Sequence, residues 1–211
     1  MSEPRDLVRG TLRDRPRTIV RAGLIALAKP LVRLRIEGLE NVPREGPVLV
    51  AANHLHNADP VLLAMAFPRV LYFMAKRELF GNRAFGGLIH WAGAFPVDRG
   101  KADRAAIRHA EALLAAGHAV AMFPEGTRSR TGRLGAGQPG AGLILVRSGA
   151  PLLPAAITGT DRLPGGPGVT VRFGTPRTIL PEGGASRLSS QEATDRIMAA
   201  IAELLPPSYV E

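Results

Sequence analysis

Two polar stretches of the chain hold side chains able to do chemistry. The first is Asn53-His54-Leu55-His56-Asn57-Ala58-Asp59 and the second is Phe123-Pro124-Glu125-Gly126-Thr127-Arg128-Ser129. His54 supplies an imidazole, a type of side chain able to exchange a proton with a substrate. Asp59, five residues on, supplies a carboxylate able to orient that ring and balance its charge. The second stretch offers a carboxylate, a guanidinium and two hydroxyls around a glycine. A guanidinium grips phosphate through two parallel hydrogen bonds, so the set suits a small anionic substrate.

The spacing limits how these groups can meet. Residues five apart do not share a helix face, which requires three or four. His54 and Asp59 meet if the first ends a strand and the second begins a helix. They then form the base and orienter of a hydrolase-type triad. The chain has no cysteine and no G-x-S-x-G, so the nucleophile need not be a protein side chain, and a substrate hydroxyl can attack directly. The plainer alternative makes Asp59 an N-cap and His54 a hydrogen-bonded residue at a strand end. For Glu125 and Arg128, the alternative is a surface turn with a local ion pair.

His54-Leu55-His56 also opens a metal reading, because H-x-H begins several hydrolase metal sites. The dinuclear H-x-H-x-D-H pattern fails, with Ala58 at the Asp position and Asp59 at the second His. His90, His109 and His118 lack metal-like spacing. The expectation is no metal, with a metal-dependent hydrolase built on His54, His56 and Asp59 as the runner-up from another reaction class.

The elements that must position these residues alternate strand and helix. Pro47 to Ala52 is a near-continuous apolar run, the pattern of a strand buried on both faces, and it delivers Asn53 and His54 at its C-terminal end. Asp59-Pro60 reads as a helix start, with Asp59 as N-cap and the helix running Val61 to Phe67. Strands follow at Val70 to Ala75 and Ala94 to Val97, with a helix over Ala84 to Trp91 between them. Lys101 to Ala116 is an amphipathic helix closed by Gly117. His118 to Phe123 is the strand feeding the second polar stretch. Arg130 to Gly142, with five glycines, reads as a mobile connection or lid, and Leu143 to Ser148 finishes a helix. Further strands lie at Pro151 to Ile157 and Val169 to Phe173. Ser189 with Glu192 forms a capping box for a last helix through Leu205. The fold class is α/β: a mixed, largely parallel sheet flanked by helices over residues 36–211, behind a helical segment at 1–35.

That first segment is basic. Residues 1–36 carry nine Arg or Lys against three acidic residues, most of the net charge of +9. Nucleic-acid binding predicts aromatic or amide residues among the charges, and there are none. Aliphatic residues stand there instead, from Leu7 to Leu34. Basic plus aliphatic is the composition of a helix lying on an anionic bilayer. A helix packed on its own domain with solvated arginines is the plainer alternative. The segment should be interrupted near Pro30. Its best apolar window, Thr18 to Leu34, is broken by Arg21, Lys29, Pro30 and Arg33, so no membrane span is expected. A cleavable signal peptide also fits poorly, because arginines run through the apolar part. The absence of cysteine is consistent with a cytosol-facing protein and removes disulfides and thiolate chemistry.

Taken together, these residues resemble the glycerophospholipid acyltransferases, in particular the 1-acylglycerol-3-phosphate (lysophosphatidate) acyltransferases. The resemblance covers roughly residues 36–180 and rests on four blocks in family order. They are Asn53-His54-x4-Asp59; Lys76-x-Glu78-Leu79-Phe80 leading to Gly93-Ala94-Phe95-Pro96-Val97-Asp98-Arg99; Phe123 to Ser129; and Leu153-Pro154-Ala155-Ala156-Ile157. Two positions depart from the family pattern. Gly81-Asn82-Arg83 stands where members often have a proline, and Gln138-Pro139-Gly140 stands where they often have a basic residue before the glycine.

The resemblance implies transfer of an acyl group from acyl-CoA or acyl-carrier protein to the sn-2 hydroxyl of 1-acylglycerol-3-phosphate, with no further cofactor. It implies that His54 is the base and Asp59 its orienter. Glu125, Gly126, Thr127 and Arg128, with Arg99, Lys76 and Asn53, would bind the substrate. The partners are then a lysophospholipid acceptor, the thioester donor and an anionic membrane surface, with the protein peripheral on the cytoplasmic face of the cell membrane. Another lysophospholipid or glycolipid acceptor is the alternative within the same family, and a catalytically silent membrane-binding protein is the alternative outside it.

Overall fold

A computed structural model describes residues 15–98, 103–179 and 188–210. Seven strands make one sheet: β1 (Arg35–Glu37), β2 (Val48–Ala52), β3 (Leu71–Lys76), β4 (Ala94–Val97), β5 (Ala119–Met122), β6 (Leu152–Thr158) and β7 (Thr170–Phe173). Their order is β1-β7-β6-β2-β5-β3-β4, with β6 and β7 antiparallel and every other neighbouring pair parallel. The sheet is therefore mixed and largely parallel.

Among the described residues six α-helices cover it: α1 (Arg15–Val32), α2 (Asp59–Ala66), α3 (Arg83–Trp91), α4 (Arg104–Ala115), α5 (Pro139–Ser148) and α6 (Ser190–Ala202). Alternation along the strands sorts the core into two layers. Val48, Val50 and Ala52 of β2 pack with Leu62, Leu63 and Phe67 from and just after α2, while Ile89 of α3 joins the same layer. Leu49 and Ala51 point the other way, onto Leu113 of α4, Ile144 of α5 and Ile197 of α6. All five residues of β2 are buried, as expected of a central strand covered on both faces.

The topology singles out one edge. From β2 the chain steps outward to β3 and β4, then returns to place β5 beside β2 and β6 on its other side. The crossovers after β2 and after β5 thus lie on opposite faces. Open α/β sheets bind ligands in the crevice at such a reversal of winding, which here falls at the carboxyl ends of β2 and β5.

Several local expectations change. The first helix is not interrupted at Pro30; α1 runs through it to Val32. Proline there removes an amide only near the last turn. The helix ends instead where Arg33 takes a left-handed φ of 47° and Leu34 N–H donates to Lys29 O at 3.1 Å. Residues 1–14, including Arg5, Arg9 and Arg13, lie outside the described residues. Helix α4 begins at Arg104, because Asp103 Oδ1 accepts from the amides of Ala105 and Ala106 at 3.0 Å each. Lys101 lies outside the described residues. Asn82 caps α3 in the same way, and the Ser189–Glu192 capping box is present on α6.

The glycine-rich stretch is fastened rather than free. Leu134 N–H donates to Tyr209 O and Gln138 N–H to Pro124 O, both at 2.7 Å. Its last glycines already belong to α5. A Cβ on Gly142 would sit 2.0 Å from Ser190 O, so this glycine permits close approach of α5 and α6.

Candidate active site

β2 ends at Ala52, and Asn53 extends its hold on β6. Its side-chain amide donates to Ile157 O and its carbonyl accepts from Ile157 N–H, both at 2.8 Å. This buried two-way clamp stands in for a rung of the ladder, so Asn53 faces the sheet. His54 follows at the crevice. Residues 55–58 then turn tightly enough for Asp59 N–H to donate to His56 O at 3.1 Å.

Asp59 is not the N-cap of α2. Ala58 holds that position without a side-chain bond, and Asp59 is the first helical residue, ahead of Pro60. Its carboxylate folds back over the turn. Oδ2 accepts from His54 Nδ1 at 2.9 Å and from the amides of Leu55 and His56 at 2.6 Å each. The turn before the helix puts those amides nearer to Asp59 than the amides inside it. Asp59 is fully buried and His54 is 3% exposed. A carboxylate only accepts, so Nδ1 carries the proton and Nε2 keeps its lone pair. Nε2 has no hydrogen-bond partner among the described residues, and neither does the buried Asp59 Oδ1.

The second stretch comes from β5. Phe123 stacks its ring on the imidazole of His54, with centroids 4.4 Å apart and planes 30° from parallel. Glu125 is 5% exposed and turns inward. Its Oε1 accepts from His54 N–H at 2.7 Å and its Oε2 from Gly135 N–H at 3.0 Å. Burial pushes its carboxyl above the ordinary range, and the two amide donors pull the other way. Gly126 follows in a left-handed conformation at φ 69°, which lets the loop reverse. Ser129 N–H then donates to His54 O at 2.7 Å.

Gly126, Thr127 and Arg128 stand exposed at the rim. Arg128 has no ion-pair partner among the described residues. Lys76, at the end of β3 one strand beyond β5, is exposed and pairs with Glu78 Oε1 at 3.2 Å. Arg99 lies outside the described residues. His56 is turned to the backbone, its Nδ1 accepting from Ala58 N–H at 3.3 Å. Among the described residues no three His, Asp or Glu side chains converge as metal ligands.

The arrangement brings His54, Asp59 and Glu125 into one hydrogen-bonded set and leaves Thr127 and Arg128 on its lip. A tautomer-locked imidazole with one free nitrogen can take a proton from a hydroxyl, and a rim guanidinium with no ion-pair partner among the described residues suits an anionic molecule that carries it. The stacking of Phe123 and the amides of Ser129 and Gly135 were not legible beforehand. Only Phe123, as the residue closing the apolar run, carried any signal.

Residues 33–158 match the family model described as Acyltransferase. The chain belongs to the acyltransferase family. Within the family it is 36% identical, over 62% of its length and 50% of the relative's, to 1-acyl-sn-glycerol-3-phosphate acyltransferase of Streptococcus pneumoniae. It is 34% identical to the Bacillus subtilis protein of the same name, over 60% of this chain and 63% of that one. The chain spans about half the length of several curated relatives it matches. The crystal structure of the Thermotoga maritima 1-acyl-sn-glycerophosphate (LPA) acyltransferase, PlsC, superposes with a TM-score of 0.65 at 26% identity. It covers 90% of this chain and 83% of that one. The Thermotoga maritima enzyme thus shares the fold of this chain over most of its length.

Proposed function

We propose that this protein moves a fatty acyl group from an acyl thioester, acyl-CoA or acyl-carrier protein, to the sn-2 hydroxyl of 1-acylglycerol-3-phosphate, giving phosphatidic acid. The observation that carries the reading is the His54–Asp59 pair at 2.9 Å with the opposite imidazole nitrogen unbonded. His54 Nε2 takes the hydroxyl proton as the oxygen attacks the thioester carbonyl. Asp59 stabilises the imidazolium that forms. The tetrahedral intermediate then collapses, the carbon–sulfur bond breaks, and His54 returns the proton to the departing sulfur, which leaves as the thiol.

Base catalysis supplies about 10²–10⁴-fold, so the oxyanion needs donors as well. The amides of His54, Leu55, His56 and Ser129 are already engaged. Those of Thr127 and Arg128 have no acceptor among the described residues, which makes them the candidates. The Arg128 guanidinium suits the acceptor's phosphate, with Lys76 and Arg99 as further cations.

The reading places the protein peripherally on an anionic membrane, at its cytoplasmic face. The two helical layers support this by their contrast. Among the described residues α1 exposes Val20, Leu27 and Leu31, α2 exposes Val61, and α3 exposes Phe85, Leu88 and Trp91, whereas α4, α5 and α6 expose no large apolar side chain. No described helix is long and apolar enough to cross a membrane. An apolar layer without a span suits the interface of a bilayer.

The deciding experiment offers labelled acyl-CoA and acyl-carrier protein with a panel of lysophospholipids. Phosphatidic acid from 1-acylglycerol-3-phosphate is expected; turnover only with another acceptor, or none, overturns the assignment. Trp91 is the only tryptophan in the chain, so its emission reports docking. A blue shift with anionic vesicles, abolished in Leu27→Glu/Leu31→Glu and in Phe85→Glu/Leu88→Glu, is expected. An unshifted spectrum removes the membrane from the reading.

A further inference from the structure

Every polar group of the His54 backbone and all but one of its ring atoms able to hydrogen-bond are occupied. Asp59 holds Nδ1. The other two bonds both come from the loop after β5: Glu125 Oε1 accepts from His54 N–H at 2.7 Å, and Ser129 N–H donates to His54 O at 2.7 Å. Phe123, two residues before Glu125, closes over the ring at 4.4 Å. One seven-residue stretch, residues 123–129, therefore grips the residue that carries the reaction from three directions.

Glu125 is also the wrong way round for a ligand of the acceptor. It is buried, its two oxygens face backbone amides on opposite sides, and its second amide, Gly135 N–H at 3.0 Å, anchors the glycine-rich stretch behind it. A carboxylate next to a phosphate would repel it, whereas a carboxylate accepting amide hydrogens is stabilised where it lies.

We infer that Glu125 is a positioning residue for His54: its carboxylate ties the histidine's peptide to the Gly135 loop and fixes the imidazole against the reacting hydroxyl, without touching the substrate. The inference rests on the acyl-transfer reading for its kinetic effect, though not for its geometry. Catalysis depends on such placement, and a misplacement of about 1 Å can cost on the order of 10²-fold.

The test compares wild type with Glu125→Gln and Glu125→Ala. Glutamine keeps one acceptor oxygen and sets its amide against the other donor, so it should retain part of the hold; alanine removes both. The expected result is a graded fall in kcat, about tenfold for Glu125→Gln and about 100-fold for Glu125→Ala, with the acceptor KM within about twofold of wild type. A raised acceptor KM at unchanged kcat would make Glu125 a substrate ligand and overturn the inference. Unchanged kinetics in both variants would overturn it too.

A second readout needs no turnover. The imidazole ¹H–¹⁵N signals of His54, assigned by their loss in His54→Gln, should change in chemical shift in Glu125→Gln. Identical signals in the two proteins would sink the positioning role, even if Glu125→Ala fails to fold. Absence of acyl transfer in wild type would count against the proposed activity, while the imidazole signals would still decide the role of Glu125.

Discussion

The two parts of the loop after β5 are built in opposite ways. Glu125 is buried with both carboxylate oxygens engaged, while Thr127 and Arg128, two and three residues on, are exposed and Arg128 is unpaired among the described residues. The same division runs through the first stretch. Asn53, His54 and Asp59 are buried and bonded to the protein, and among the described residues His54 Nε2 and the buried Asp59 Oδ1 are left without a partner. Groups whose position must not vary are fixed by hydrogen bonds that solvent cannot compete for. Groups that meet the substrate keep their bonding capacity free. Removing an inner residue should therefore lower kcat or stability, and removing a rim residue should raise KM.

The largest effect should come from His54→Ala. Loss of the base should lower kcat by at least about 10²–10⁴-fold while the circular-dichroism spectrum stays native. Retained turnover would break the assignment of the inner set as catalytic. Asp59→Asn comes next. The amide oxygen can take the place of Oδ2 with its three donors, but the NH2 then fills the buried, unpartnered place of Oδ1 and the neutral group cannot balance the imidazolium, so kcat should fall about 10²-fold. Stability in urea should drop by about 1–3 kcal/mol, the cost of leaving a buried donor unsatisfied. An Asp59→Asn protein with wild-type kcat would show that the pair is only structural.

Arg128→Ala tests the rim. It should raise the acceptor KM about tenfold, the low end for a charge-assisted hydrogen bond at an exposed site, with kcat nearly unchanged. A fall in kcat at constant KM would place Arg128 with the inner set and erase the contrast.

The smallest effect concerns pH. Burial raises the Glu125 carboxyl above its ordinary value of 4.5. Between that value and the raised one, the folded chain binds more proton than the unfolded chain, so this group's contribution to stability is lost as pH rises. Urea titrations across that window should show wild type losing stability relative to Glu125→Gln. A difference of opposite sign would mean that the two amide donors outweigh desolvation.

Membership of the inner set was readable wherever its parts lie close in the chain. His54 and Asp59 are five residues apart, and an apolar run followed by a polar turn and Pro60 forces a strand end to face a helix start. The alternation of strands and helices and the Ser189–Glu192 cap were equally local. Readings of single residues in isolation did less well. Pro30 stands inside α1 because only its last turn follows, and Asp59 caps nothing because the turn before it offers nearer amides. Five glycines between Arg130 and Gly142 looked like freedom, yet two of them let chains approach: Gly135 N–H reaches Glu125, and Gly142 admits Ser190.

By itself, then, the sequence determined the fold class, the chemical types present and the His54–Asp59 pair, because periodicity and spacing act over a few residues. Which way Glu125 points was decided only by tertiary structure. Its partner His54 lies 71 residues away in sequence. The contact exists because the sheet sets β2 beside β5, in a register that brings Val48 opposite Ala119 and Ala51 opposite Met122. A carboxylate on a loop reads the same whether it faces a substrate or a backbone amide. The difference lies in which strand ends next to it.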